Sequence, residues 1–380
     1  MKEGQIILRK DIFSVGIKDN DSKYHFLRLI KSALLSFELS DFIILKVSSM
    51  ETQNELLSAA SGSLEYLFNL NQYDNTLILT DSYSSTIAAA FKLAAAEKGS
   101  SVELYEIKNS DRPLNEIPKE LEKLLPGKSI VLNIIKAFPE EISFRIKWIF
   151  KVEENKKIKM GHMPGITEDM MLRSVNVDFF TMKSTADLLI STLKGAELLH
   201  ITTDAGTDLL LGVKNRIFTS DIGAIAGEMC NLPCGEIYCA PVETKASGVV
   251  VFDASIGDIG LLKQPLKVFL NKGRITKFEC EDEELVNRIE QLSSVDEEAR
   301  VIGELGIGVN PGARITGNML EDEKAIGTAH IAFGNNADFP GGGNNHSQIH
   351  RDFLFYTLTI EVSFADGTKK FLIRKGEFCL

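Results

Sequence analysis

An excess of positive charge is the first thing this 380-residue sequence lacks: 42 Lys and Arg stand against 53 Asp and Glu, a formal net charge of −11, and the one basic cluster, Lys151–Lys159, is interrupted by Glu153 and Glu154 and reads as a solvated loop. A sequence-independent hold on nucleic-acid phosphates depends on grouped cations, so no nucleic-acid partner is expected. Long apolar runs are missing as well. None reaches the ~18–20 residues a membrane-crossing helix needs, and Met1–Lys10 has no apolar stretch of signal-peptide length. No membrane partner is expected, and a cytoplasmic setting is. Cysteine is scarce and odd in number, with five in all. Three of them, Cys230, Cys234 and Cys239, fall close together, but the spacing C-x3-C-x4-C lacks the tight pairs of zinc ribbons and no histidine lies beside it. Buried thiols are expected there, and disulfides are not. A G-x-G-x-x-G or Walker sequence is also absent. The turn Thr80–Ser85 has no glycine to let backbone approach a pyrophosphate, so its serines read as helix caps.

What is present describes a folded globular chain, 44% hydrophobic and 25% charged. At ~150 residues per domain the length suggests two domains. In the first half, short apolar runs at Asp41–Val47, Asn75–Thr80, Ser101–Tyr105 and Ser129–Ile134 alternate with helical patterns at Glu51–Leu70 and Ser85–Lys98. Strands alternating with helices imply an α/β domain with a largely parallel sheet covered by helices. A helix over Thr185–Leu193 marks the change, and the expected domains are 1–195 and 196–380. Beyond it the pattern turns to a β-rich α+β domain: strands at His200–Thr203 and Gly248–Phe252, a hairpin of Leu266–Leu270 with Ile275–Phe278, one helix over Glu281–Leu292, and closing strands Phe353–Phe364 and Lys370–Arg374 around Asp366-Gly367.

Only six histidines occur, and three of them, His330, His346 and His350, lie between Glu304 and Asp352. His350 and Asp352 are two apart, so on a strand they point the same way and can reach one ion. They follow the loop Gly341–Asn345, which can close over a substrate or be a plain long turn, and they precede the apolar run Phe353–Tyr356, which would anchor them. His330 ends the segment Glu321–His330, which begins acidic and helix-like and runs into Ile331-Ala332-Phe333. Glu304, inside the apolar, glycine-spaced Ile302–Gly308, and Glu236, inside Pro233–Tyr238, are carboxylates where an unpaired charge is costly. Two such glutamates, two histidines and one aspartate suit a pair of borderline divalent ions sharing bridging carboxylates.

The runs Asn231–Pro241, Gly303–Gly306, Glu321–His330 and His350–Phe353, with Gly161–Gly165 and Ala205–Leu209, resemble the motifs of the thermophilic aminopeptidase family, the aminopeptidase T and aminopeptidase S type, peptidase family M29. The resemblance covers the C-terminal half well and the N-terminal half loosely. It implies the same five ligands, Glu236, Glu304, His330, His350 and Asp352; a pair of divalent ions such as Zn, Co or Mn; a small peptide substrate; and a homodimer. In the corresponding mechanism Glu304 and Asp352 bridge the ions, Glu236 and His350 complete one, His330 completes the other, and Glu323 moves a proton to the leaving amine. The chain departs from the family at Ala337, where a tyrosine stands seven residues beyond the first histidine ligand. His346 and Tyr356 are the candidate substitutes, and with Asn344 they make up the expected substrate contacts. 2,5-Dihydroxypyridine dioxygenase, a non-haem iron enzyme, is similar to the same superfamily. That likeness implies a single Fe(II) held by His330, His350 and Asp352, and a metal-binding relative without catalysis is the third reading.

Overall fold

Alternation along the strands of the first half sends successive side chains to two separate cores. In Asn75–Asp81, Ile78 packs into one cluster and Leu77 and Leu79 into the other; in Ile130–Ile135, Ile130, Leu132 and Ile134 go one way and Val131 and Ile135 the other. Residues that are apolar on both faces need cover on both faces. Leu56, Leu64, Phe68 and the inner face of helix Ser85–Glu97 supply one cover, and helix Ile142–Glu153 with Trp148 supplies the other. This computed structural model describes residues 51–356 and 358–380, and Glu55–Leu380 form one unit. The strand expected over Asp41–Val47 lies outside the described residues.

The parallel sheet runs in the order Ser101–Ile107, Asn75–Asp81, Ile130–Ile135, Lys159–Pro164 and Met229–Asn231. Its fifth strand therefore comes from beyond residue 195. The strand-rich part holds two antiparallel sheets. One has eight strands, with Ala196–Thr203 between Asp208–Gly212 and Leu358–Phe364 near its middle. The other has seven, in the order Gly260–Leu261, Ser255–Ile256, His350–Tyr356, Thr328–Gly334, Ile302–Gly308, Glu236–Cys239 and Thr219–Ser220. One apolar cluster continues from the parallel sheet into both, through Leu199, Val250, Leu305, Ile331 and Phe353.

Several boundaries differ from the sequence expectation for local reasons. The helix before residue 195 begins at Phe179, because Asp178 accepts from the Thr181 backbone N–H at 3.1 Å and caps it. Ser84 precedes helix Ser85–Glu97 without a side-chain cap; Asp81 accepts instead from the N–H groups of Tyr83 and Ser84 at 3.0 and 3.1 Å. The donors that would face a phosphate at this turn are thus taken by the chain's own carboxylate. The segment Glu321–His330 is helical only over Met319–Asp322, and then turns through Gly327, at φ +82°, into strand Thr328–Gly334. Phe353–Phe364 is not one strand. His350–Tyr356 pairs with Thr328–Gly334 in the seven-stranded sheet, and Leu358–Phe364 pairs with Lys369–Arg374 in the eight-stranded one. Both runs are apolar, so the change of sheet leaves no mark in the hydrophobic pattern.

Candidate metal centre

The seven-stranded sheet gathers the candidate ligands by register alone. Residues two apart share a face, so Leu305, Ile307, Ile331, Phe333, Phe353 and Phe355 fill the core from one side. The other side carries Glu236 on Glu236–Cys239, Glu304 on Ile302–Gly308, His330 on Thr328–Gly334, and His350 and Asp352 on His350–Tyr356. Cross-strand partners align them: Glu304 with Ala332 and Ala332 with Asp352, Gly306 with His330, Gly308 with Glu236, and Gly334 with His350. Gly306, Gly308, Ala332 and Gly334 on this face carry little or no side chain, and that makes the hollow. A Cβ at Gly306 would lie 2.0 Å from His330 Cε1, so the imidazole occupies the space a side chain there would need. Gly235, at φ +125°, turns the chain so that its own N–H and that of Glu236 reach Asp221 Oδ1 at 2.8 and 2.9 Å.

All five groups converge. His350 Nε2 lies 2.9 Å from Glu304 Oε2 and 3.3 Å from Asp352 Oδ1. His330 Nε2 lies 3.5 Å from Glu236 Oε2, 3.5 Å from Glu304 Oε1 and 4.0 Å from Asp352 Oδ1. Two candidate ligand sets result, Glu236–Glu304–His330 and Glu304–His350–Asp352, with Glu304 in both. Glu236 therefore groups with His330, where the sequence reading placed it with His350. Glu236, Glu304 and His330 are buried, and the His350 side chain, at 29% exposure, is the most open of the five. His350 Nδ1 lies 2.7 Å from the Asn335 carbonyl oxygen, which can only accept, so Nδ1 carries the proton and Nε2 faces the carboxylates.

The donor set fits a cation. Glu236 Oε2, which faces His330 Nε2, is buried without a hydrogen-bond partner. Ligand atoms ~2.0–2.2 Å from a tetrahedral ion stand roughly 3.4 Å apart, close to the 3.5 Å from His330 Nε2 to Glu236 and to Glu304. Without an ion the imidazoles take its electrostatic place. Burial disfavours their charged forms, yet the carboxylates outweigh it, holding His330 up to about 9 and His350 well above its ordinary value. Burial would likewise raise Glu304, but the two imidazoles bring it down to about 2.

Behind this group lies a cation the sequence did not disclose. Lys324 is fully buried, and its ammonium contacts Glu236 Oε1, Glu323 Oε1 at 2.8 Å and Asp221 Oδ2 at 3.1 Å. Burial opposes its charge, but the three carboxylates keep the lysine protonated. Three carboxylates around one ammonium leave negative charge in excess, and burial raises both Glu236 and Glu323 above their ordinary values. In sequence, Lys324 follows Glu321-Asp322-Glu323 and looks like one more charge on a solvated turn. Asp221, in Thr219–Gly223, likewise gave no signal beyond that of a loop.

A cavity of ≈ 560 Å³ opens onto the ligands, with Asp221, Glu236, Glu304, Glu323, His350 and Asp352 in its lining. Met229, Tyr238, Phe339 and Pro340 form part of its wall. Asn344, His346 and Tyr356 are not among the lining residues. Tyr356 lies four residues beyond Asp352, ~13 Å along the strand, and its backbone N–H donates to Asp253. The Gly341–Asn345 loop is tied down: Arg216 donates to the Gly342 carbonyl, the Asn344 N–H reaches Glu243 Oε1 at 2.8 Å, and the Asn345 N–H reaches Asn336 Oδ1 at 2.9 Å. Cys230, Cys234 and Cys239 are buried free thiols. Among the described residues no helix is long and apolar enough to cross a membrane.

No curated protein matches. The fold is similar to that of 2,5-dihydroxypyridine dioxygenase from Pseudomonas putida KT2440, with a TM-score of 0.66 at 17% identity over 86% of this chain and 97% of that one. It is also similar to wild-type AmpT from Thermus thermophilus, with a TM-score of 0.64 at 19% identity over 86% of this chain and 100% of that one. Likeness at such identities speaks for the fold and leaves the reaction to the site. The profile of the thermophilic metalloprotease family (M29) matches residues 181–378, which include all five converging groups. That stretch is more than half of the sequence, and the chain belongs to the thermophilic metalloprotease family M29.

Proposed function

We propose that the chain is a metal-dependent aminopeptidase-like hydrolase that holds two divalent ions, zinc, cobalt or manganese, and removes N-terminal residues from small peptides. The observation that carries this reading is the position of Glu304: its two oxygens face different histidines, Oε1 toward His330 at 3.5 Å and Oε2 toward His350 at 2.9 Å. Glu236, Glu304 and His330 would hold one ion, and Glu304, His350 and Asp352 the other. Bound divalent ions supply Lewis acidity, lowering the pKa of water and polarising a carbonyl. The chain's own groups prepare the site for that chemistry. Lys324 holds Glu236 by one oxygen, so the other is free to ligate, and the Asn335 carbonyl fixes the ring of His350. Glu323 lines the cavity, and its carboxyl, raised by burial, is suited to take a proton and pass it to the leaving amine. A cytoplasmic homodimer, without nucleic-acid or membrane partners, belongs to the same reading.

A second reading has its own support. Asp352 Oδ1 lies within 3.3 Å of His350 Nε2 and 4.0 Å of His330 Nε2, so two histidines and one carboxylate could face a single Fe(II), as in a ring-cleaving dioxygenase. Two further buried carboxylates, Glu236 and Glu304, are surplus to such a site and favour the pair of ions. A third outcome is a metal-binding protein without catalysis. Elemental analysis together with assays on a leucine anilide, a peptide panel and dihydroxylated pyridines separates them. Two Zn, Co or Mn with anilide hydrolysis supports the hydrolase, one Fe with ring opening supports the dioxygenase, and metal without turnover supports the third.

A further inference from the structure

Amide hydrolysis places negative charge on the former carbonyl oxygen, and a positioned hydrogen-bond donor at that oxygen is worth a factor of ~10²–10³ in rate. Apart from the buried Cys230 thiol, the uncharged side-chain donors lining the cavity are Thr219, Ser220, Asn231 and Tyr238. Tyr238 stands apart by its placement. It is two residues beyond Glu236 on the same strand, so both side chains leave the same face of the sheet. Its cross-strand partner is Gly306, and the next partner in that row is His330. Gly306 bears no side chain, so none of its own stands in the row between the tyrosine and the imidazole.

The ring is held while the hydroxyl is free. Tyr238 meets Phe339 edge to face at 5.5 Å between centroids, and Phe339 in turn lies 5.6 Å from the His350 ring. Among the described residues nothing hydrogen-bonds the Tyr238 hydroxyl. Thr219 pairs with Tyr238 one strand further from the ligands, Ser220 pairs with Ile237, and Asn231 belongs to the parallel sheet. We infer that the Tyr238 phenol is the oxyanion donor of this site, hydrogen-bonding the substrate carbonyl oxygen as charge gathers on it. The phenol keeps its proton throughout; the bond formed is from water oxygen to carbonyl carbon, the bond broken is from that carbon to the leaving nitrogen, and the water's proton passes by way of Glu323 to that nitrogen. This inference rests on the hydrolase reading.

The test uses the full chain loaded with zinc or cobalt, as wild type, Tyr238→Phe and Asn231→Ala. Measured are kcat and KM on a leucine anilide, metal content, and calorimetric affinity for the phosphonic-acid analogue of leucine, a tetrahedral mimic, and for leucine itself. Tyr238→Phe is expected to lower kcat by ~10²–10³ with KM little changed. It should weaken the phosphonate by a comparable factor, leaving leucine affinity and metal content as in wild type. Wild-type kcat and phosphonate affinity in Tyr238→Phe overturn the inference, as does a loss confined to Asn231→Ala or a Tyr238→Phe protein that no longer holds metal. If the loaded wild type hydrolyses no anilide or peptide, the hydrolase reading fails and the inference falls with it. Hydrolysis by wild type with an unaffected Tyr238→Phe removes the inference alone.

Discussion

The His330 imidazole occupies the space that a side chain at Gly306 would need, with a Cβ at that glycine falling 2.0 Å from Cε1 and 2.1 Å from Nε2 of the ring. His330 is buried and wedged into a packed sheet, so the ring has little room to yield.

Gly306→Ala should therefore drive His330 out of line with Glu236 and Glu304. Overpacking of this kind costs ~1–3 kcal/mol, and metal affinity should fall with it. Urea denaturation and metal titration check both. Wild-type affinity in Gly306→Ala would show that the imidazole is not fixed from beneath by that glycine.

Lys324→Met should destabilise the chain strongly, because Glu236, Glu323 and Asp221 would lose their shared buried cation. Removing one partner of a buried ion pair costs ~3–5 kcal/mol. Added divalent metal should recover part of that loss, since a cation between the remaining carboxylates relieves the same repulsion. Denaturant midpoints with and without metal measure it. A variant as stable as wild type in chelator contradicts the role given to Lys324.

Much of the architecture was legible because period and register are sequence properties. Apolar runs on both faces of Asn75–Asp81 and Ile130–Ile135 announced a covered parallel sheet, and the i, i+2 spacing of His350 and Asp352 placed both on one strand face. Glu236 and Glu304 stood out as carboxylates in apolar surroundings. Lys324 and Asp221 did not, since a lysine after three acids and an aspartate in a loop have the composition of solvent-facing turns; only the tertiary fold buries them. His346 and Tyr356 were the candidate substitutes for the tyrosine that Ala337 replaces, and Asn344 a further expected substrate contact. The strand carries Tyr356 along its length away from the cavity, and Glu243 and Glu298 take the backbone N–H groups of Asn344 and His346.

In the ion-free protein, stability should depend on pH through His330 and Glu304. Carboxylates outweigh burial and raise His330 from 6.5 to about 9, so the imidazolium's contribution is complete below 6.5 and is lost as pH climbs through about 9. The imidazoles outweigh burial and lower Glu304 from 4.5 to about 2, so its contribution is present above 4.5 and is lost as pH falls through about 2. Urea midpoints in chelator should then be greater at pH 5.5 than at pH 9, while metal affinity rises over the upper range as the imidazoles shed protons. Midpoints that do not move between those two pH values contradict the pairing.

The most direct test of two ions sharing Glu304 is the metal-to-protein ratio, measured by elemental analysis of the full chain after equilibration with cobalt or manganese and removal of excess ion. The expected ratios are two ions per chain in wild type, one in Glu236→Ala, and none firmly held in Glu304→Ala. A single ion in wild type that Glu236→Ala leaves in place would contradict the account.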